Sequence, residues 1–320
     1  MIDGCPMRSS LSPLLVIAVA MAVAPITATS EDNGPLTRLE TADDTRGWEA
    51  VGRLNFGDTG FCTGALISDR VVLTAAHCLY ESSTGEVVDL TDMEFLVGLR
   101  DGRAEAYRGV RRAIQHPEYV FGEEVELDRV SVDLALLELD RPVRTSRIEP
   151  FAVGFGPMEG EPVGVVSYAK DRAEAPSLQR ECAVLETRQG VAMLSCSVDF
   201  GASGAPVFRF GAEGPVIVSV VSAKADARGE RVSLASTFGA RFNELQAAFE
   251  ATPAGPFGTG GTRALETPIA PQALEADAEE TPNVASAANG GGAMNGGGAT
   301  VRRIGVGDGE GSSSAKFLRP

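Results

Sequence analysis

Three short stretches of the chain hold side chains that could attack a carbonyl or move a proton. Asp199 to Val207 reads DFGASGAPV and sets Ser203 between small residues, ahead of Pro206 and an apolar run. A hydroxyl there could be a nucleophile; equally, glycine and proline mark ordinary tight turns. One of the two histidines, His77, lies in GFCTGALISDRVVLTAAHCLY, directly before Cys78 and downstream of Cys62. Two strands joined by a hairpin and stapled by those cysteines would hold its imidazole still, and a general base needs position before its pKa matters. Taken alone, His77 reads as a partly buried structural histidine. The candidate acid is Asp133 in SVDLALLELD, at the head of an alternating strand. Asp128 lacks the strand that follows, and Asp140 sits in the polar turn before Arg141-Pro142. A carboxylate at a strand head can be buried and aimed at an imidazole, whereas one in a turn points to water.

Together these stretches form a pattern. LTAAHC, with its cysteine, resembles the histidine motif of the chymotrypsin-like serine proteases. The turn QHPEY (Gln115 to Tyr119) followed by SVDLALLELD resembles that family's aspartate segment, and GASGAP its nucleophile loop. The order His77, Asp133, Ser203 is the chymotrypsin order; subtilisins and α/β-hydrolases use others. The resemblance spans residues 47–250 and implies a serine endopeptidase working through an acyl-enzyme on protein or peptide substrates, with no metal or organic cofactor. It makes Ser203 the nucleophile, His77 the general base and then acid, and Asp133 the group that fixes the imidazole tautomer. The N–H groups of Gly201 and Ser203 would form the oxyanion hole, where loss of one donor costs about 3–4 kcal/mol of transition-state stabilisation.

The departures from the family pattern carry information. Animal trypsins read Gly-Asp-Ser-Gly-Gly-Pro at the nucleophile, and that aspartate binds a newly freed N-terminus. Here Ala202 has no charge, and no Ile-Val-Gly-Gly segment occurs, which points to the bacterial glutamyl-endopeptidase-like branch. The family's specificity-pocket floor lies a few residues before the nucleophile, here Ser197, a neutral residue unsuited to Arg or Lys. The pocket wall falls within VSVVSAKA, at Ser219 or Ser222; with Ser222, Lys224 lies near the mouth, either attracting acidic side chains or pointing to solvent. Two other readings stand beside the protease: a catalytically silent protease-like binding or scaffold protein, and an exported esterase.

The rest of the chain must position these residues. It has 320 residues and a formal charge of −16, which argues against a non-specific nucleic-acid binder. Arg8 and the apolar run Leu14 to Ala24 read as a signal peptide over 1–30, too short for a stable membrane span. Cleavage near Ala28 or Ser30 would give a secreted or periplasmic protein, expected to be a monomer; Met7 would serve as a better start than Met1. Cys5 leaves with that segment. The other four cysteines allow three connectivities, of which Cys62–Cys78 and Cys182–Cys196 close the shortest loops. No zinc-ligand spacing is present, and the acidic loop GEEVELD, which could bind calcium, reads more simply as solvated. Residues 31–46 form a polar arm. From 47 to 250, short Val- and Leu-rich runs between turns suggest an all-β sandwich or barrel, and the family resemblance implies two six-stranded antiparallel barrels with a junction at 142–150. ARFNELQAAFE, with Phe242, Leu245 and Phe249 on one face, adds a short C-terminal helix. Residues 251–320, with NGGGAMNGGGA, read as a disordered tail whose ending SSSAKFLRP is a frayed end or a short recognition peptide.

Overall fold

The computed structural model describes residues 34–253 except Asp58, Thr59, Glu123 and Arg228, together with Met1 and the backbone of 316–318. The signal segment, its cleavage point and residues 254–315 lie outside the described residues.

The chain enters as β1 (Leu36–Arg38), then builds a closed antiparallel barrel from β2 (Val51–Phe56), β3 (Gly60–Leu66), β4 (Val71–Thr74), β5 (Met93–Val97), β6 (Ala106–Gln115) and β7 (Ala135–Leu139), in the order β2-β3-β4-β7-β6-β5. Between β6 and β7 lies the short helix α1 (Leu127–Ser131). After β8 (Ala152–Val153) come β9 (Pro162–Ser167), β10 (Ser177–Arg188), β11 (Val191–Leu194), β12 (Pro206–Gly211), β13 (Gly214–Ala227) and β14 (Glu230–Thr237). These close a second six-stranded barrel, β9-β10-β11-β14-β13-β12, through the pairing of β9 with both β10 and β12. β1 extends it on β10 and β8 lies parallel to β13. Helix α2 (Ala240–Ala251) follows, and β15 (Lys316–Leu318) pairs antiparallel with β13. This is the expected all-β, two-barrel architecture with a short terminal helix.

Each barrel buries its inward residues, among them Leu54, Phe95 and Leu136 in the first and Val165, Leu194 and Val218 in the second. Trp48 joins the two, with its ring 5.1 Å from Phe208, edge-on, and 6.0 Å from Phe151. Such pairs add about 0.5–1.5 kcal/mol beyond the area they bury.

Two expectations change in detail. LALLEL was expected as an alternating strand, but Leu134–Leu139 is buried throughout. Helix α2 packs over β6 and β7, and Glu138 is held between Arg111 and Arg112. The polar arm is also partly structured: Leu36–Arg38 joins β10 and Leu39 is buried.

α2 buries Phe242 and Leu245, and Phe249 packs under the Arg112 guanidinium at 3.9 Å. Leu245 alone, fully buried, contributes about 2 kcal/mol. The helix is also tied through His116, which is fully buried. The Glu118 N–H donates to its Nδ1 at 3.2 Å, which leaves Nε2–H to donate to the Glu244 carboxylate at 3.1 Å. Both bonds suit the neutral ring. Burial holds the His116 pKa below its ordinary value, against the pull of Glu244 and Glu118, while Arg241 also lowers it. The unfolded chain therefore takes up this proton first, and stability falls as pH drops below about 6.5. In urea titrations between pH 7 and 5, wild type should lose stability and His116→Gln should flatten that loss. Equal slopes would show that His116 does not contribute.

The cysteines join as Cys62–Cys78 and Cys182–Cys196. The first closes a 16-residue separation, and opening a loop of that size should cost about 2–4 kcal/mol. A Cys62→Ala/Cys78→Ala variant should show this as a lower urea midpoint, and an unchanged midpoint would mean the staple adds nothing.

Candidate active site

His77 lies in a turn of 3-10 helix (Ala76–Leu79) immediately after β4. Ala76, Cys78 and Leu79 are buried on either side of it, so the backbone cannot drift and the ring keeps one direction. The Cys62–Cys78 disulfide fastens this turn to β3. Asp133 follows α1 and is 3% exposed. One carboxylate oxygen accepts the His77 backbone N–H at 2.8 Å, and the other accepts Nδ1–H at 2.7 Å. Ser222 Oγ on β13 donates to that second oxygen. Burial works to raise the Asp133 pKa, but the His77 ring and these hydrogen bonds outweigh it and hold the carboxyl below its ordinary value. The Asp133 carbonyl also accepts a hydrogen bond from Ser236 Oγ at 3.3 Å.

Ser203 sits in the loop before β12, 3% exposed. Its carbonyl accepts the Thr63 N–H at 2.8 Å. Thr63 Oγ1 donates to the Gly201 carbonyl at 2.8 Å, and Thr74 Oγ1 to the Thr63 carbonyl at 2.9 Å. The loop of the second barrel is thus braced by two threonines of the first. Gly201 and Gly204 take φ of +96° and +77°, values that side chains resist. A Cβ at Gly201 would strike the Phe61 ring, and one at Gly204 would strike Thr74 Oγ1 and the Thr63 carbonyl. Among the described residues, no partner takes the Gly201 or Ser203 N–H. His77 Nε2 is buried and makes no hydrogen bond there either, so it is open to a proton.

His77, Asp133 and Ser222 line a small pocket together with Glu126, Arg129 and Val130. The acidic loop GEEVELD is met by a cation of its own, since Arg129 bonds the Glu124 carbonyl and the Glu126 carboxylate. On the other side, Ser197 is exposed, with its N–H donating to Gln179 Oε1 at 2.7 Å. Ser219 instead bonds the Ser236 carbonyl within the sheet. Lys224 neither stands free at a mouth nor points to solvent. Its ammonium meets Asp199 at 2.9 Å and lies 3.8 Å over the Phe200 ring, and it holds the Asp199 carboxyl below the usual range. Sequence reasoning missed Thr63, Thr74 and Ser236, whose hydroxyls act only across elements far apart in the chain.

The family model described as Trypsin matches residues 40–238. The chain belongs to the trypsin family. A trypsin of Phaedon cochleariae is 39% identical over 84 residues, 26% of this chain and 29% of that protein. A trypsin of Simulium vittatum is 30% identical over 154 residues, 43% of this chain and 57% of its own length. Clotting factor C of Tachypleus tridentatus matches at 31% over 99 residues, only 9% of that protein. The chain thus spans less than two thirds of each of these relatives. A solved Glu endopeptidase superposes with a TM-score of 0.55 at 18% identity, covering 69% of this chain and 98% of that one. A thermostable serine protease from an extremophilic microorganism gives 0.51 at 17% identity, covering 63% and 97%. At those identities both support the two-barrel fold, and the trypsin-family assignment carries no branch with it.

Proposed function

We propose that this trypsin-family chain is an exported serine endopeptidase. The observation that carries the reading is the chain of hydrogen bonds from Ser222 through Asp133 to His77 Nδ1, which leaves Nε2 as the open nitrogen, the one that would serve Ser203 as base. Ser203 Oγ attacks the scissile carbonyl carbon as its proton passes to Nε2. The N–H groups of Gly201 and Ser203 receive the developing oxyanion. The tetrahedral intermediate expels the amine, which takes the proton from His77, and leaves an ester on Ser203. Water, deprotonated by the same nitrogen, then releases the acid. Export is supported by the apolar leader and the two disulfides, since disulfides persist in oxidising compartments. Ala202, fully buried and uncharged, gives a freed N-terminus no partner, so the enzyme needs no such activation.

The test is a fluorophosphonate probe on the native protein, with the adduct mapped by peptide mass. Only an activated serine reacts readily. An adduct on Ser203 that disappears on heat denaturation is the expected result. A probe that never reacts, or that modifies another residue, would favour the silent scaffold.

For specificity, the neutral Ser197 and the Asp199 carboxylate already matched by Lys224 offer no free acid at these two positions for a basic side chain. The chain should cleave poorly after Arg or Lys and accept small, apolar or acidic residues, as the glutamyl-endopeptidase-like branch would. Profiling cleavage sites on a peptide library checks this, and efficient arginyl cleavage blocked by benzamidine would refute it.

A further inference from the structure

The two edges of β13 are occupied differently. One pairs with β14 from Ser219 to Ala227. The other is taken by β12 as far as Val220, and then by the nucleophile loop. There the Val221 N–H donates to the Ala205 carbonyl at 2.9 Å, and the Gly204 N–H to the Val221 carbonyl at 2.8 Å. Past this point Ser222 reaches Asp133. Among the described residues, no strand of either barrel pairs with the same edge beyond Ser222, and open backbone groups of this kind are a template for another strand.

We propose that the chain's own segment Lys316–Leu318 is the resident occupant of this edge, Lys224 to Asp226, and holds it in competition with substrate. The register is antiparallel: Asp226 opposes Lys316, Ala225 opposes Phe317, and Lys224 opposes Leu318. From Lys316 to Leu318 the strand therefore advances toward Ser222 and the triad. A polypeptide that brought a bond to Ser203 along this edge would run beside the same three residues, and one edge accepts one strand. Lys224 ties the edge to the nucleophile loop through Asp199, four residues before Ser203. The site therefore adjoins the reacting centre. Main-chain pairing gives such a site affinity without demanding a particular sequence. Tethering favours the resident strand, since a tether of tens of residues supplies an effective concentration on the order of 1 mM.

The inference rests on Ser203 being the nucleophile. The test uses the full chain and a Lys316→Pro/Phe317→Pro variant, in which the segment loses the N–H groups a ladder needs. With a substrate peptide long enough to lie along β13, KM should fall on the order of tenfold while kcat is unchanged. Added peptide SSSAKFLRP should raise the variant's KM again, competitively. Fluorophosphonate labelling of Ser203 should be equal in both proteins. An unchanged KM with Ser203 still labelled would overturn the docked strand and leave the protease standing. A fall in kcat or in Tm would also overturn it, because the segment would then be a prop. Absence of labelling in the wild type would strike the protease reading instead.

Discussion

Ser203→Ala is expected to lower kcat by about 10⁶-fold and to abolish fluorophosphonate labelling, while Tm stays within about 1 °C of wild type. On the proposed mechanism the size follows from the unit character of the triad, because without the oxygen His77 has no proton to take and Asp133 no imidazolium to stabilise. The small effect on stability follows from the bonds that hold the loop. These use the Ser203 carbonyl, the Gly201 carbonyl and the Gly204 N–H, and none involves the hydroxyl. Turnover of a peptide ester and a thermal melt read the two halves separately. Residual activity near that of wild type would remove Ser203 from the reaction, and a collapsed Tm would mean the hydroxyl was holding the loop after all.

Asp133→Asn should lower kcat about 10⁴-fold at neutral pH with the backbone unmoved. The backbone N–H of His77 needs an oxygen at the position of Oδ1. That requirement turns the amide NH₂ toward the ring and toward Ser222. The ring can then only accept at Nδ1, which places its proton on Nε2, and Ser203 loses its base. Raising the pH cannot cure this, because the fault is the tautomer and not the charge. The pH profile of kcat should therefore show no recovery before strongly alkaline conditions. Activity close to wild type would mean that another acid orients His77. Full recovery at pH 8 would mean that a simple pKa change was the cause.

The legible parts of the molecule were those written in local spacing. LTAAHC, SVDLALLELD and GASGAP are each short contiguous stretches at the junction of a strand and a turn, and in the structure His77 bonds Asp133. The turn-bounded apolar runs became β2 to β5, β7, β9 and β11 to β13. β6 and β10 were not evident because charged residues interrupt their alternation, and β14 because its serines and threonine dilute the apolar run. In β6 the arginines Arg111 and Arg112 look like a solvated stretch, yet they pair with Glu138 and Arg112 caps the end of α2. Such compensation comes from partners remote in sequence. Ser219 or Ser222 was read as pocket wall, without the bond that Ser222 makes to Asp133, and Lys224 was read without its partner Asp199. The assignments that shifted are those whose meaning depends on a tertiary neighbour.

The crossed bracing of the two barrels has a consequence for when the enzyme can first act. The first barrel supplies His77 and Asp133, but Ser222 and Ser236, which steady that aspartate, arrive only with β13 and β14. The second supplies Ser203, but the threonines that shape its loop belong to β3 and β4. Neither half holds a competent set alone. A chain whose second barrel has not yet closed carries His77 and Asp133 and no working hydrolase. The fold behaves as a two-key lock, and the cell that makes the protein is spared its chemistry until both keys have turned.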